Sequence, residues 1–308
     1  MSATARDLAR RLWLLLALGA AATVALFGAY WGVHGDAVPL SSSSAPGVFA
    51  VDTAKYALGQ AQKYVMQRPS ATGDFHTQIS VATQSLALAA SDNVTGLEGR
   101  QSVQTVDALI AVYTGWIEKA NLEPSGTPLQ AAYLSYAKSV LGDTTKQPPA
   151  GSVMDRLNKL HVSQEKVVKW QTSFGWLLRL AWSAALVLCV ALLGALVEAQ
   201  RFSRRRFRRR WNRPLAVATA LLVAGVTTLA LFTWRTHAGM AHSRTLLKQS
   251  YIGDAIPKAG LNVAGHMAGA GFRAAAAGWI LAGGALLMVL IVAGLLPRIT
   301  EYRFRSSR

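Results

Sequence analysis

Imidazole and thioether side chains fall close together at His237-x-x-Met240-x-His242, with His266-Met267 further on. These are ligand types that copper accepts, so His237, Met240 and His242 form a candidate metal set. The plainer reading is that they lie on helical extensions of the flanking apolar segments, and no metal is assigned. The single cysteine, Cys189, excludes an intrachain disulfide framework or a cysteine-based metal site. No Walker-type phosphate loop, Gly-x-Ser-x-Gly elbow, His-Glu-x-x-His or EF-hand loop is present. The expectation is a protein that is not an enzyme and carries no cofactor.

The most unusual stretch runs from Arg201 to Arg213. It contains Arg201, Arg204, Arg205, Arg206, Arg208, Arg209, Arg210 and Arg213, and no lysine. Arginine offers a planar two-pronged contact to phosphate or carboxylate that lysine lacks. The stretch therefore reads as a site for anionic lipid headgroups and as a dock for an acidic cytoplasmic partner such as a kinase. It is too short to fold or catalyse by itself. Gly28-x-x-x-Gly32 and Gly265-x-x-x-Gly269 let helix backbones approach closely. They fit packing within one chain or a homodimer.

Four apolar runs must hold these residues in place: 12–33, 180–197, 214–234 and 274–296. Each is near the ~20 helical residues that cross a hydrocarbon core of ~30 Å. Of the 308 residues, 52% are hydrophobic and 15% charged, the mean hydropathy is +0.26 and the net charge is +17. A chain this basic would suggest nucleic acid, but the apolar runs exclude that class. Residues 34–173 carry eleven basic and eleven acidic side chains, whereas residues 198–213 carry eight arginines against one acid. Short Lys/Arg-rich loops stay in the cytoplasm.

The expected order is a cytoplasmic N-terminus (1–11), a first span (12–33), an extracytoplasmic domain (34–173) and a second span (174–197). The arginine-rich cytoplasmic loop (198–213), a third span (214–234), a second extracytoplasmic loop (235–273), a fourth span (274–296) and a basic cytoplasmic tail (297–308) follow. The first span reads as an uncleaved anchor rather than a signal peptide, because its apolar stretch runs on too far. Tyr30, Trp31, Trp176, Trp234 and Trp279 are expected at the outer interface, and Trp13, Trp211 and Tyr302 at the inner one. Arg179 is the one charged residue within the spans and Glu198 directly follows the second, both near segment ends; a pump or transporter usually needs such groups at mid-depth.

Residues 34–173 show helical rather than strand periodicity. Apolar positions step by three and four through Val51–Val65, Phe75–Ala89, Val103–Ala120, Leu129–Val140 and Val153–Phe174. Pro69-Ser70, Ser91–Gly96, Pro124–Pro128 and Pro148–Gly151 punctuate them. Ser41–Ser44 and Pro46 read as a link after the first span. Ser152 with Asp155 reads as an N-cap, and the absence of a breaker predicts one rod from Ser152 to Val197. The expected class is all-α, four transmembrane helices with an extracytoplasmic antiparallel helical bundle between the first and second.

The stretch Tyr113-Thr-Gly-Trp-Ile-Glu118-Lys-Ala, then Gly126-x-Pro128-Leu-Gln-Ala-Ala-Tyr133-Leu-Ser-Tyr-Ala137-Lys-Ser-Val-Leu141, resembles the ectodomain of a group of actinobacterial four-transmembrane proteins. The run Arg206-Phe207-Arg-Arg-Arg-Trp211-Asn212-Arg-Pro214-Leu215 resembles their arginine-rich turn into the third span. The resemblance extends to the membrane component of a pathway that senses glutamate, glutamine and aspartate and feeds protein kinase G. It implies a non-enzymatic relay between an extracytoplasmic solute-binding protein or ligand and a cytoplasmic signalling partner. A scaffold of the cell envelope or of a secretion system is the alternative, and a transporter or channel the second alternative.

Overall fold

The computed structural model describes residues 3–67, 72–92, 94–142, 148–173, 175–207, 213–249 and 251–305. Its elements are α1 (Ala3–Pro39), α2 (Ala45–Gln67), α3 (Thr72–Ser91), α4 (Gly96–Leu122), α5 (Pro128–Leu141), α6 (Val153–Gln171), α7 (Trp176–Phe207), α8 (Arg213–Leu247), α9 (Ala255–His266), α10 (Ala270–Ala275) and α11 (Ala277–Arg305). The fold is all-α, with no strand among the described residues. Four helical segments are long and apolar enough to cross a membrane. The chain divides into two units. The first comprises Met1–Val38, Phe174–Ala238 and Gly269–Arg308, and the second Pro39–Ser173 and Gly239–Ala268.

In the first unit, parts of α1, α7, α8 and α11 share one apolar core that includes Leu15, Leu192, Leu196, Leu215 and Ile291. Close approach rests on single small residues. A Cβ on Gly32 would meet Leu178 Cδ1 at 2.9 Å, one on Gly294 would meet Leu215 Cγ at 2.9 Å, and one on Gly284 would collide with Thr23. Gly28 has open space there instead. Trp13, Trp31, Trp176, Trp234 and Trp279 are exposed, whereas Tyr30, expected beside them at the outer interface, is fully buried. Trp211 lies outside the described residues, as does the side chain of Tyr302.

In the second unit, α2, α3, α4, α5 and α6 contribute to one core. Every position of the Val103, Val106, Ile110, Tyr113, Ile117, Ala120 stripe is buried. The stripe expected on α5 is turned: Leu129 and Tyr136 are exposed, and Ala137 and Leu141 are buried instead. The cause is Trp116 of α4, whose ring packs on Tyr133 (5.8 Å between centroids) and Tyr136 (5.3 Å), holding both tyrosines to the side of the helix–helix seam. Ser152 Oγ accepts from the Asp155 amide (3.3 Å) while Asp155 Oδ2 accepts from the Gly151 amide (2.9 Å), the reciprocal cap that starts α6.

Three expectations about element boundaries are corrected. The serine link is no break: Leu40–Ser44 form a π-helical turn in which the Ala45 amide reaches back to the Leu40 carbonyl. Pro39 and Pro46 each lack an amide hydrogen, and the wider turn between them carries the helix on. The single rod from Ser152 to Val197 does break. Thr172 caps α6, its hydroxyl bonded back to the Val168 carbonyl at 2.7 Å, and α7 starts only at Trp176. The break needs no proline: Gly175, a poor helix former, stands in it. The arginine-rich stretch expected as a loop is helical as far as Phe207, where α7 ends, while α8 to α10 occupy most of residues 235–273, as the helical-extension reading of His237–His242 expects.

Candidate functional site

The described residues of the second unit form cavities, of which two matter here. The first, of about 200 Å³, is formed by α2, α4 and α5. Small Ala137 on α5 leaves room against Tyr113 and Ile117 of α4, and Val65 and Leu134 complete an apolar wall. Tyr113 is 1% exposed, and its hydroxyl has no hydrogen-bond partner among the described residues. Burial pushes that phenol well above its ordinary value, so it stays protonated and donates. Gln62, Ser135 and the exposed Lys138 add polar groups around the same space. An unmet donor beside a cation favours a small solute that brings an acidic or carbonyl oxygen and an apolar remainder.

The second cavity, of about 320 Å³, has a floor of Val48, Val162, Val168 and Leu247. Lys166, Lys169, Arg244 and Lys248 line it with Glu165. None of these four cations has an ion pair within 4 Å among the described residues. Behind Glu165 lies a buried polar group. Glu165 Oε1 is 3.8 Å from His161 Nε2, and His161 Nδ1 is 3.3 Å from Asp52 Oδ1, off the hydrogen-bonding direction. Asp52 is 3% exposed; burial pushes its carboxyl above the usual range, opposed by His161, Lys55 and an N–H donated by Tyr251. Gln164 donates to the Gly47 carbonyl (3.3 Å) and keeps its own carbonyl oxygen unpaired.

Of the residues singled out by sequence, Met240 is buried on α8, His237 is partly exposed and His242 is exposed. Five positions separate the two histidines, which puts them on different faces of the helix. The His242 ring instead packs on His266, centroids 4.0 Å apart, where Gly239 lets the backbones meet: a Cβ there would lie 2.8 Å from the His266 carbonyl oxygen. Among the described residues no three His, Cys, Asp or Glu side chains are grouped to hold a metal. Gly265 lies near the end of α9 and Gly269 in the following turn at φ +75°, so that pair spans a turn rather than one helix face.

Arg201, Arg204, Arg205 and Arg206 fall on the last turns of α7 and Arg213 opens α8, while Arg208, Arg209 and Arg210 lie outside the described residues. Sequence reasoning missed the two cavities. The signal available was Tyr113 itself, a hydroxyl in the middle of an otherwise apolar stripe.

Residues 37–173 match a family model described as an actinobacterial sensor domain. The match covers less than half of the chain and is a likeness to that sensor domain. No curated protein matches the chain. No solved structure matches it either.

Proposed function

We propose that the protein is a non-enzymatic transmembrane sensor and relay. Its second unit lies outside the cytoplasm and receives a small solute or a solute-binding protein. The arginine cluster at 201–213 and the basic tail meet anionic lipid and an acidic cytoplasmic partner, a kinase being one such partner. The observation that carries this reading is the sensor-domain match over residues 37–173, in a chain with four candidate spans. The cavity at Tyr113 is the proposed receptor for the solute, because an unpaired buried donor gains most from a ligand oxygen.

The test is deletion of residues 48–170 in the living cell. It is expected to abolish a nutrient-dependent change in the state of the cytoplasmic partner; an unchanged response sinks the reading. A scaffold role is the second reading, favoured by large apolar side chains exposed on the second unit, among them Leu97, Leu122 and Trp170. A stable stoichiometric membrane complex that forms regardless of nutrient supports the scaffold instead.

A further inference from the structure

The first unit buries a cation without an anion. Arg273, on α10, is 6% exposed, and its Nε and Nη2 have no hydrogen-bond partner among the described residues. No described carboxylate lies within 4 Å of it. Its surroundings are otherwise built with care. The Tyr30 hydroxyl donates to the Arg273 carbonyl at 2.6 Å, and the Tyr30 ring stacks on His34 at 3.8 Å between centroids. His34 Nδ1 lies 3.0 Å from the Tyr30 carbonyl, and its Nε2 lies 3.2 Å from Thr236 Oγ1. The nearby charge that adds to the field at Arg273 is Arg235, also positive. A guanidinium cannot shed its proton to escape burial, so an unpaired one requires an anion from elsewhere.

An apolar cavity of about 510 Å³ opens in the same unit. Phe272, next to Arg273 in sequence, and Ala276, three residues on, line it together with Leu26, Phe232, Trp279 and Gly283; Arg273 itself lies outside the lining. Thr233, next to Phe232, has a second buried hydroxyl without a partner. A planar fork with two free N–H groups matches two oxygens of one phosphate. An apolar cavity among membrane-crossing helices matches a hydrocarbon chain.

We propose that this is a phospholipid site: Arg273 holds the phosphate of an anionic phospholipid whose acyl chain occupies the cavity. A buried positive charge with no described acid within 4 Å selects an anionic over a zwitterionic lipid. This site is separate from the arginine cluster at 201–213, which meets headgroups as an exposed surface.

The test uses the full-length chain, delipidated in detergent and titrated with phosphatidylglycerol or phosphatidylcholine under native mass spectrometry. Wild type is expected to retain one phosphatidylglycerol at collision energies that strip phosphatidylcholine. Arg273→Gln should lower that retained species about fivefold, and Arg273→Lys should be intermediate. Gly283→Leu leaves Arg273 in place and narrows the cavity; it should lower retention as well, and it decides the matter if the glutamine variant fails to fold. Equal retention in wild type and in Gly283→Leu, or in wild type and a folded Arg273→Gln, overturns the proposal. So does inorganic phosphate that displaces the retained lipid or stabilises the protein through Arg273 while the two lipids bind alike, because the anion is then free phosphate.

Discussion

At the scale of single residues, Tyr113 and Asp52 carry polarity into a core that has little else of it. Tyr113→Phe removes only the unpaired hydroxyl, so it is expected to leave stability unchanged or raise it by up to about 1 kcal/mol. Tyr113→Ala should cost about 3–5 kcal/mol through the lost ring. Denaturant midpoints of the full chain in detergent separate the two, and a solute that protects wild type should no longer protect the phenylalanine variant. Asp52 works differently. Its folded-state carboxyl is raised above the ordinary value, so the stability it contributes is complete below about pH 3.9 and is lost as pH rises through the higher folded value. Asp52→Asn should therefore gain on wild type as pH climbs from about 4 towards neutrality, read as the difference in unfolding midpoint across that window. A parallel shift at every pH would refute it. The buried Asp52–His161 contact was illegible in sequence, because the residues sit on helices 109 positions apart and neither breaks an apolar stripe in a distinctive way. Arg273 was legible only as one basic residue among five in a segment; its burial comes from packing that no single helix displays.

At the scale of elements, sequence read well where one partner decides the face and poorly where a local hydrogen bond decides it. The α4 stripe is buried throughout, since six apolar residues at helical spacing leave one orientation. The α5 stripe was misread because Trp116 draws the tyrosines aside, and the α6–α7 break was missed because no proline marks it. Caps were legible, and their energetics are testable. Ser152→Ala should cost about 1 kcal/mol in thermal or denaturant unfolding. Gly142→Ala should cost at least as much, since its φ is +86° and a Cβ would lie 2.5 Å from Ser152 Oγ. The π turn makes a contrasting prediction. It holds one residue more than a regular turn, so deleting one serine from positions 41–43 leaves a regular helical turn and should leave a folded protein. Deleting Ala57 from the middle of α2 turns everything beyond it by about 100° and should not. Yield of folded protein by size-exclusion chromatography distinguishes the two deletions.

At the scale of the whole molecule, four apolar runs and the helical class were plain from composition and length, since a bilayer demands about twenty apolar residues and satisfied backbone groups. What the runs do not reveal is where a helix stops once it leaves the lipid, and so α7 and α8 reach into the stretches expected to be loops. Orientation is argued from charge, and it predicts that a protease added to intact cells cuts within residues 34–173 and spares a tag placed after Arg308. Replacing the arginines of 201–213 by glutamine should weaken that preference, seen as a mixed population in the same assay. The lone Cys189 gives these experiments a convenient handle. Its thiol is buried and lines the apolar cavity of the first unit, out of reach of water-soluble maleimides. A reporter cysteine introduced anywhere on the surface is thus labelled against a silent background, with no native residue removed. A small membrane-permeant thiol reagent does the reverse: it reports, from within the lipid, whether that cavity is filled.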